Sequence, residues 1–93
     1  LSIFFSFFQD SPEANGNGQN ATVAEGVEHT FSCPVDGNPV PSFTWYSESI
    51  GKQFKTRQSG CYICVARNVH GISDNITQCL IIGKYFLFLH KYM

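Results

Sequence analysis

Ninety-three residues, 43% hydrophobic and 15% aromatic, suit one small domain with a thin core. Six basic against seven acidic side chains leave a formal charge of -1, which excludes the electrostatic footprint of a nucleic-acid or anionic-membrane binder. Four cysteines in so short a chain, with the acceptor tripeptides Asn20-Ala21-Thr22 and Asn75-Ile76-Thr77, point to the secretory route, where disulfides persist and glycans are attached.

Leu1 to Phe8 is an apolar run far too short to span a bilayer as a helix, and it lacks the basic flank and small-residue cleavage site of a signal peptide. Gln9 to Gln19 is polar and rich in Asn and Gly, so a flexible linker is expected there. At the other end Tyr85 to Leu89 is apolar, but Lys84, His90 and Lys91 bracket it too closely for a transmembrane helix. The expected organisation is a segment outside the domain at 1–19, a domain at 20–83 and a tail at 84–93. Phe5 to Gln9 is encodable by a pyrimidine tract ending in CAG, and Gly83-Lys84-Tyr85 by GGTAAGTA, which resemble the two splice sites around an exon. Tails of read-through intron are one reading; an amphipathic tail at each end is the other.

Glu25-Gly26 opens a turn, and Val27 to Cys33 then alternates, with Val27, His29, Phe31 and Cys33 on one face and Glu28, Thr30 and Ser32 on the other. That is a half-buried strand. His29 reads as a partly wet ring near a strand end rather than a zinc ligand, since no second histidine lies at metal-ligand spacing. Gly37-Asn38-Pro39-Val40-Pro41 is a turn followed by an extended segment, because each proline fixes its own φ and moves the preceding residue out of the helical region. Ser42 to Ser47 alternates again, with Phe43 and Trp45 inward and Thr44 and Tyr46 outward. Ser47 to Gln58 is polar, with Ile50 and Phe54 as its apolar pair, and has room for at most one weak strand.

Ser59 to Gly71 carries the strongest pattern. Tyr62, Cys64 and Ala66 alternate with Ile63, Val65 and Arg67, and Asn68 to Gly71 supplies a tight turn, so Gly60 to Ile82 folds as a hairpin. The hairpin sets Cys61 roughly opposite Cys79. If Leu80 and Ile82 point inward, Cys79 shares the outer face with Cys61 and a bridge forms; a slip by one residue sends Cys79 into the core and leaves two free or mispaired thiols. Cys61-Tyr62-Ile63-Cys64 is formally a C-x-x-C, but a strand sends its two sulfurs to opposite faces, and no helix N-terminus is present to activate a thiol.

Cys33, Gly37-Asn38-Pro39, Pro41 and Trp45, taken with Tyr62-Ile63-Cys64 and Asn68 through Gly71, resemble an immunoglobulin domain of the intermediate set over Val23 to about Ile82. The resemblance implies an all-β immunoglobulin-like sandwich in which Cys33 and Cys64 join the two sheets, Trp45 packs over that bridge, and the Tyr62 hydroxyl turns back to nearby backbone. Closing a loop of about thirty residues removes unfolded-state entropy worth roughly 3.7 kcal/mol. The chain departs from the family between Trp45 and Gly60, where strands C′, D and E have about half their usual length. Gln58 stands where the family has an acidic residue paired to a strand D arginine, and no such arginine can be placed. An incomplete sandwich is expected, with C′, D and E largely missing and an exposed flank beside strand B that favours aggregation.

No nucleophile constellation, phosphate-cradling glycine loop or convergent carboxylate pair appears, so catalysis is not expected, and no cofactor or metal is implied. Immunoglobulin domains recognise through surfaces. Thr44, Tyr46, Ile63, Val65 and Arg67 are expected on the outer face, an apolar patch with an aromatic and a cation of the kind enriched in protein interfaces. Glycans on Asn20 and Asn75 are expected to shield the edges of strands A and G and leave that face open. The implied role is an extracellular, protein-binding module of a cell-surface adhesion molecule or receptor, with homophilic, heterophilic or neighbouring-domain partners. A structural module of an intracellular cytoskeletal or muscle array is the alternative within the fold. A receptor tyrosine kinase or phosphatase whose enzyme domain lies outside this chain is the alternative beyond it.

Overall fold

A computed structural model describes residues 10–83, so the readings of Leu1 to Phe8 and of Tyr85 to Leu89 lie outside the described residues. Ten strands and their connections make up the described part: β1 Asp10–Ala14, β2 Ala21–Val23, β3 His29–Ser32, β4 Val35–Asn38, β5 Ser42–Trp45, β6 Ser49–Ile50, β7 Gln53–Thr56, β8 Gly60–Asn68, β9 Gly71–Ile72 and β10 Ile76–Ile82. No helix among the described residues is long and apolar enough to cross a membrane.

The strands form an immunoglobulin-like sandwich. One layer runs β2-β10-β8-β5-β6, with β9 folded back on β8; the other consists of the pairs β1-β4 and β3-β7. Pro34 divides β3 from β4, because it has no N–H to give a ladder, and the chain bends there with the Val35 amide donating to the Cys33 carbonyl at 2.9 Å. The core lies between the layers: Phe31, Cys33, Val35, Phe43, Trp45, Cys64, Ala66, Ile76 and Leu80 are all buried. All but Cys33, which lies between β3 and β4, come from the inward register of a strand, so the period-two pattern of the sequence is the pattern of burial.

Cys33 is bonded to Cys64 across the two layers, with Cα atoms 6.0 Å apart and both residues fully buried. Trp45 is the cross-strand partner of Cys64 and is itself fully buried, its indole Nε1 donating to the Gly51 carbonyl at 3.0 Å. Phe54 stacks on the indole at 5.4 Å between centroids and meets the Tyr62 ring at 4.8 Å. The Tyr62 hydroxyl donates to the Gln58 carbonyl at 2.6 Å, so the 3.1 Å contact with Thr56 Oγ1 has the threonine as donor. Gln78 is a buried polar group that sequence reading passed over. Its Nε2 donates to the Ser32 carbonyl at 3.1 Å and its Oε1 accepts from the Gln19 amide at 3.0 Å, which leaves neither end unsatisfied.

The structure corrects three expectations. The stretch expected to be a linker contains β1, antiparallel to β4 from Asp10↔Asn38 to Ala14↔Val35. Its polar composition misled because β1 is an edge strand that buries only Pro12. Two strands, not at most one, fit between Tyr46 and Ser59: β6 pairs β5, and β7 pairs β3 from His29↔Thr56 to Ser32↔Gln53. The short span suffices because Glu48 and Gly51 take positive φ angles of 70° and 116°, and these reversals carry the chain from one layer to the other within a few residues. Strand β3 is therefore paired on one side, by β7, and its other edge has no ladder partner among the described residues. No third strand follows β7 in that layer among the described residues. The cation near Gln58 is Arg57, which sits 3.3 Å from Glu28 in an exposed ion pair of little energetic weight.

Cys33→Ala or Cys64→Ala is expected to remove about 3.7 kcal/mol, out of a total of about 5 to 15 kcal/mol for a small domain, and to abolish the cooperative thermal transition followed by circular dichroism. Tyr62→Phe keeps the ring contacts and loses the hydroxyl bonds, so a guanidinium titration should show a loss of about 1 kcal/mol with an unchanged slope.

Candidate functional site

The long layer has a dry inner face and an outer face that nothing in the described chain covers. Because Cys64 and Ala66 point inward from β8, Cys61, Ile63, Val65 and Arg67 point outward. Register aligns them with their neighbours: Val65 with Thr44, Thr44 with Ile50, and Arg67 with both Ser42 and Ile72. The Tyr46 amide donates to the Ile63 carbonyl at 2.9 Å, and Ile63 is in turn opposite Thr77. Thr44, Tyr46, Ile63, Val65 and Arg67 are thus brought together on one surface. Tyr46 is 60% exposed, Thr44 and Arg67 are exposed, and Ile63 and Val65 are half-buried by their neighbours.

Sequence reading missed Ile50 and Ile72 on this face, and Ile81 on its β10 side. Ile50 is 86% exposed and Ile72 is 53% exposed, at opposite margins of the patch. Ile50 was read with Phe54 as the apolar pair of a single weak strand; the two instead lie on different strands in different layers, so Phe54 faces the core and Ile50 faces solvent. The alternation signal in a two-residue strand is too short to decide this.

Cys61 and Cys79 are also on the outer face. They are register partners, linked by a disulfide with Cα atoms 4.0 Å apart, at the end of the patch where β8 begins. Leu80 points inward and is buried, which is the register that puts Cys79 outside. The two cysteines of the C-x-x-C therefore serve different partners, one across the hairpin and one across the sandwich. His29 is half-buried with its ring edge-on to Phe31 at 4.5 Å.

The two acceptor asparagines sit differently. Asn20 Oδ1 accepts from the Cys79 amide at 3.0 Å, at the margin where β2 meets β10. Asn75 Oδ1 accepts a 3.0 Å hydrogen bond from the Tyr46 hydroxyl. Tyr46 follows β5, Asn75 precedes β10, and β8 lies between those two strands, so the bond passes over the outer face rather than along its edge. Asn75 is thus bonded across the face that it was expected only to border.

The turn at one end of the face is held by Asn68. Its Nδ2 donates to the Asp10 carbonyl at 2.7 Å and the Pro39 carbonyl at 3.1 Å, while its Oδ1 accepts from the His70 amide at 2.9 Å. One side chain therefore ties β1, the β4–β5 turn and the β8–β9 hairpin. The sequence marked Asn68 only as a turn residue, since long-range side-chain bonds leave no local pattern.

Comparison with known proteins agrees with this geometry. The family model for the immunoglobulin I-set domain matches residues 12–59. Vascular endothelial growth factor receptor 2 of Mus musculus is 29% identical over 91 residues, covering 78% of this chain. The chain spans only 7% of that receptor's length. Among solved structures, the crystal structure of the Titin M10-Obscurin like 1 Ig complex superposes with a TM-score of 0.62 at 20% identity, covering 81% of this chain and 96% of that one, a likeness of fold.

Proposed function

Since this chain belongs to the immunoglobulin I-set family, we propose that it is an extracellular recognition module of a receptor or adhesion molecule that binds another protein through the outer face of β5, β8 and β10. The observation that carries this reading is the contiguous surface made by Tyr46, Ile63, Val65, Ile50, Thr44 and Arg67. An aromatic, an arginine and branched apolar groups on a flat sheet match the composition of interface cores, in which aromatic residues and Arg are enriched. The strands beneath are fixed by two disulfides and a continuous ladder, so little conformational entropy is lost when a partner docks.

Two disulfides support the extracellular side of the reading, because cytosolic thiols are kept reduced. The partial likeness to a growth factor receptor supports a protein ligand. Catalysis has no part in this role; any enzymatic activity of a longer parent protein would reside in another domain.

Expressed in a eukaryotic secretory host, the chain is expected to appear in the medium with Cys33–Cys64 and Cys61–Cys79 linked and with Asn20 or Asn75 glycosylated, as read by non-reducing peptide mapping. Reduced thiols and bare acceptors in folded material would instead favour a module of an intracellular array. Beads coated with the chain after enzymatic removal of its glycans should clump with one another or attach to cells. The double variant I50D/R67E, at two exposed positions of the face, should lose that adhesion with its melting temperature unchanged, since exposed substitutions of this kind shift stability by no more than about 0.5 kcal/mol. Adhesion that survives both changes would remove this face from the reading.

A further inference from the structure

Asn75 and Thr77 begin and end an N-glycosylation acceptor, and both are exposed. The Tyr46 hydroxyl reaches Asn75 over β8, a span of two strand spacings, or about 10 Å. This bond uses the amide oxygen. Glycosylation uses the amide nitrogen: a bond forms between Asn75 Nδ2 and the anomeric carbon of a polyprenyl-pyrophosphate-linked oligosaccharide, the bond from that carbon to the pyrophosphate oxygen breaks, the polyprenyl pyrophosphate leaves, and one amide proton passes to the transferase. Asn75 Oδ1 is untouched, so the glycosylated side chain can keep its bond to Tyr46.

We propose that an N-linked glycan on Asn75, held in place by Tyr46, lies across the outer face and masks Ile63, Val65 and the Tyr46 ring, so that occupancy of this one acceptor opens or closes the recognition surface. The proposal rests on the extracellular reading above. Tyr46 fixes the asparagine over β8 instead of letting it swing into solvent, and its 60% exposed ring gives the apolar face of the first sugar a surface to cover. Asn20 provides the contrast. Its side chain is bonded to the Cys79 amide at the β2 margin, so a glycan there leaves from the edge of the sheet and not from its face.

Hydroxyl-radical footprinting of the secreted chain, read by mass spectrometry, tests this, with peptide mapping giving the occupancy of both acceptors. Asn75 is expected to be glycosylated, and oxidation of Tyr46 and Ile63 should rise severalfold in Thr77→Ala, which keeps Asn75 and its bond to Tyr46 but destroys the acceptor. Thr77→Ser restores the acceptor and should restore protection. Asn20→Gln should leave the labelling of Tyr46 as it was. Tyr46→Phe with Asn75 still occupied should expose Ile63, because the tether is lost while the sugar remains. Occupied Asn75 with the same labelling as Thr77→Ala overturns the mask and leaves the extracellular reading standing. Folded, secreted protein with Asn20 glycosylated and Asn75 bare also overturns it. Reduced thiols with both acceptors bare overturn the two together.

Discussion

The buried bond between Cys33 and Cys64 is the constraint on which the other features depend. A domain of this size buries a modest share of its apolar surface, so a covalent tie between the layers carries a large part of its stability. The bridge joins the point where β3 gives way to β4 with the middle of β8, and the indole of Trp45 fills the space beside it. Once Cys64 is fixed inward, alternation along β8 settles every other side chain on that strand. Tyr62 goes inward to find the Gln58 carbonyl, Ala66 goes inward opposite Phe43, and Ile63, Val65 and Arg67 go out to make the exposed surface. Core and candidate site are the two sides of one pleat.

Stability and recognition are consequently divided between the faces. Buried polar groups on the inner side are all answered: Gln78 bonds across to Ser32, and Ser73 Oγ accepts from the Ala66 amide while donating to the Asp74 carbonyl. The outer side carries Thr44, Tyr46, Ile50 and Arg67, which stand exposed. Only Cys61 and Cys79 belong to both, since their bond locks the hairpin register from outside and thereby keeps Ile63 and Val65 in line.

Much of this was legible in the residues, for identifiable reasons. Strands β3, β5 and β8 have a clean alternation and fixed markers in Cys33, Trp45 and Tyr62-x-Cys64, so their faces followed from parity alone. What escaped was whatever depends on pairing rather than pattern. Asp10–Ala14 is polar because both sides of an edge strand but one residue meet solvent, and such a strand reads as a linker. Phe54 read only as one of an apolar pair with Ile50 until β7 was set beside β3, where it meets Trp45 and Tyr62. The direction of Asn75 was invisible for the same reason: its contact is with Tyr46, twenty-nine positions away, and no local composition records it.

The break at Pro34 has a consequence for how the smaller layer tolerates change. Strand β1 pairs only with β4 and β7 pairs only with β3, with a residue that cannot donate standing between the two halves. Neither outer strand leans on the other. The short stretch between Trp45 and Gly60 is therefore accommodated on the β3–β7 half of the seam, while the opposite corner is knotted separately, by Asn68 to Asp10 and Pro39.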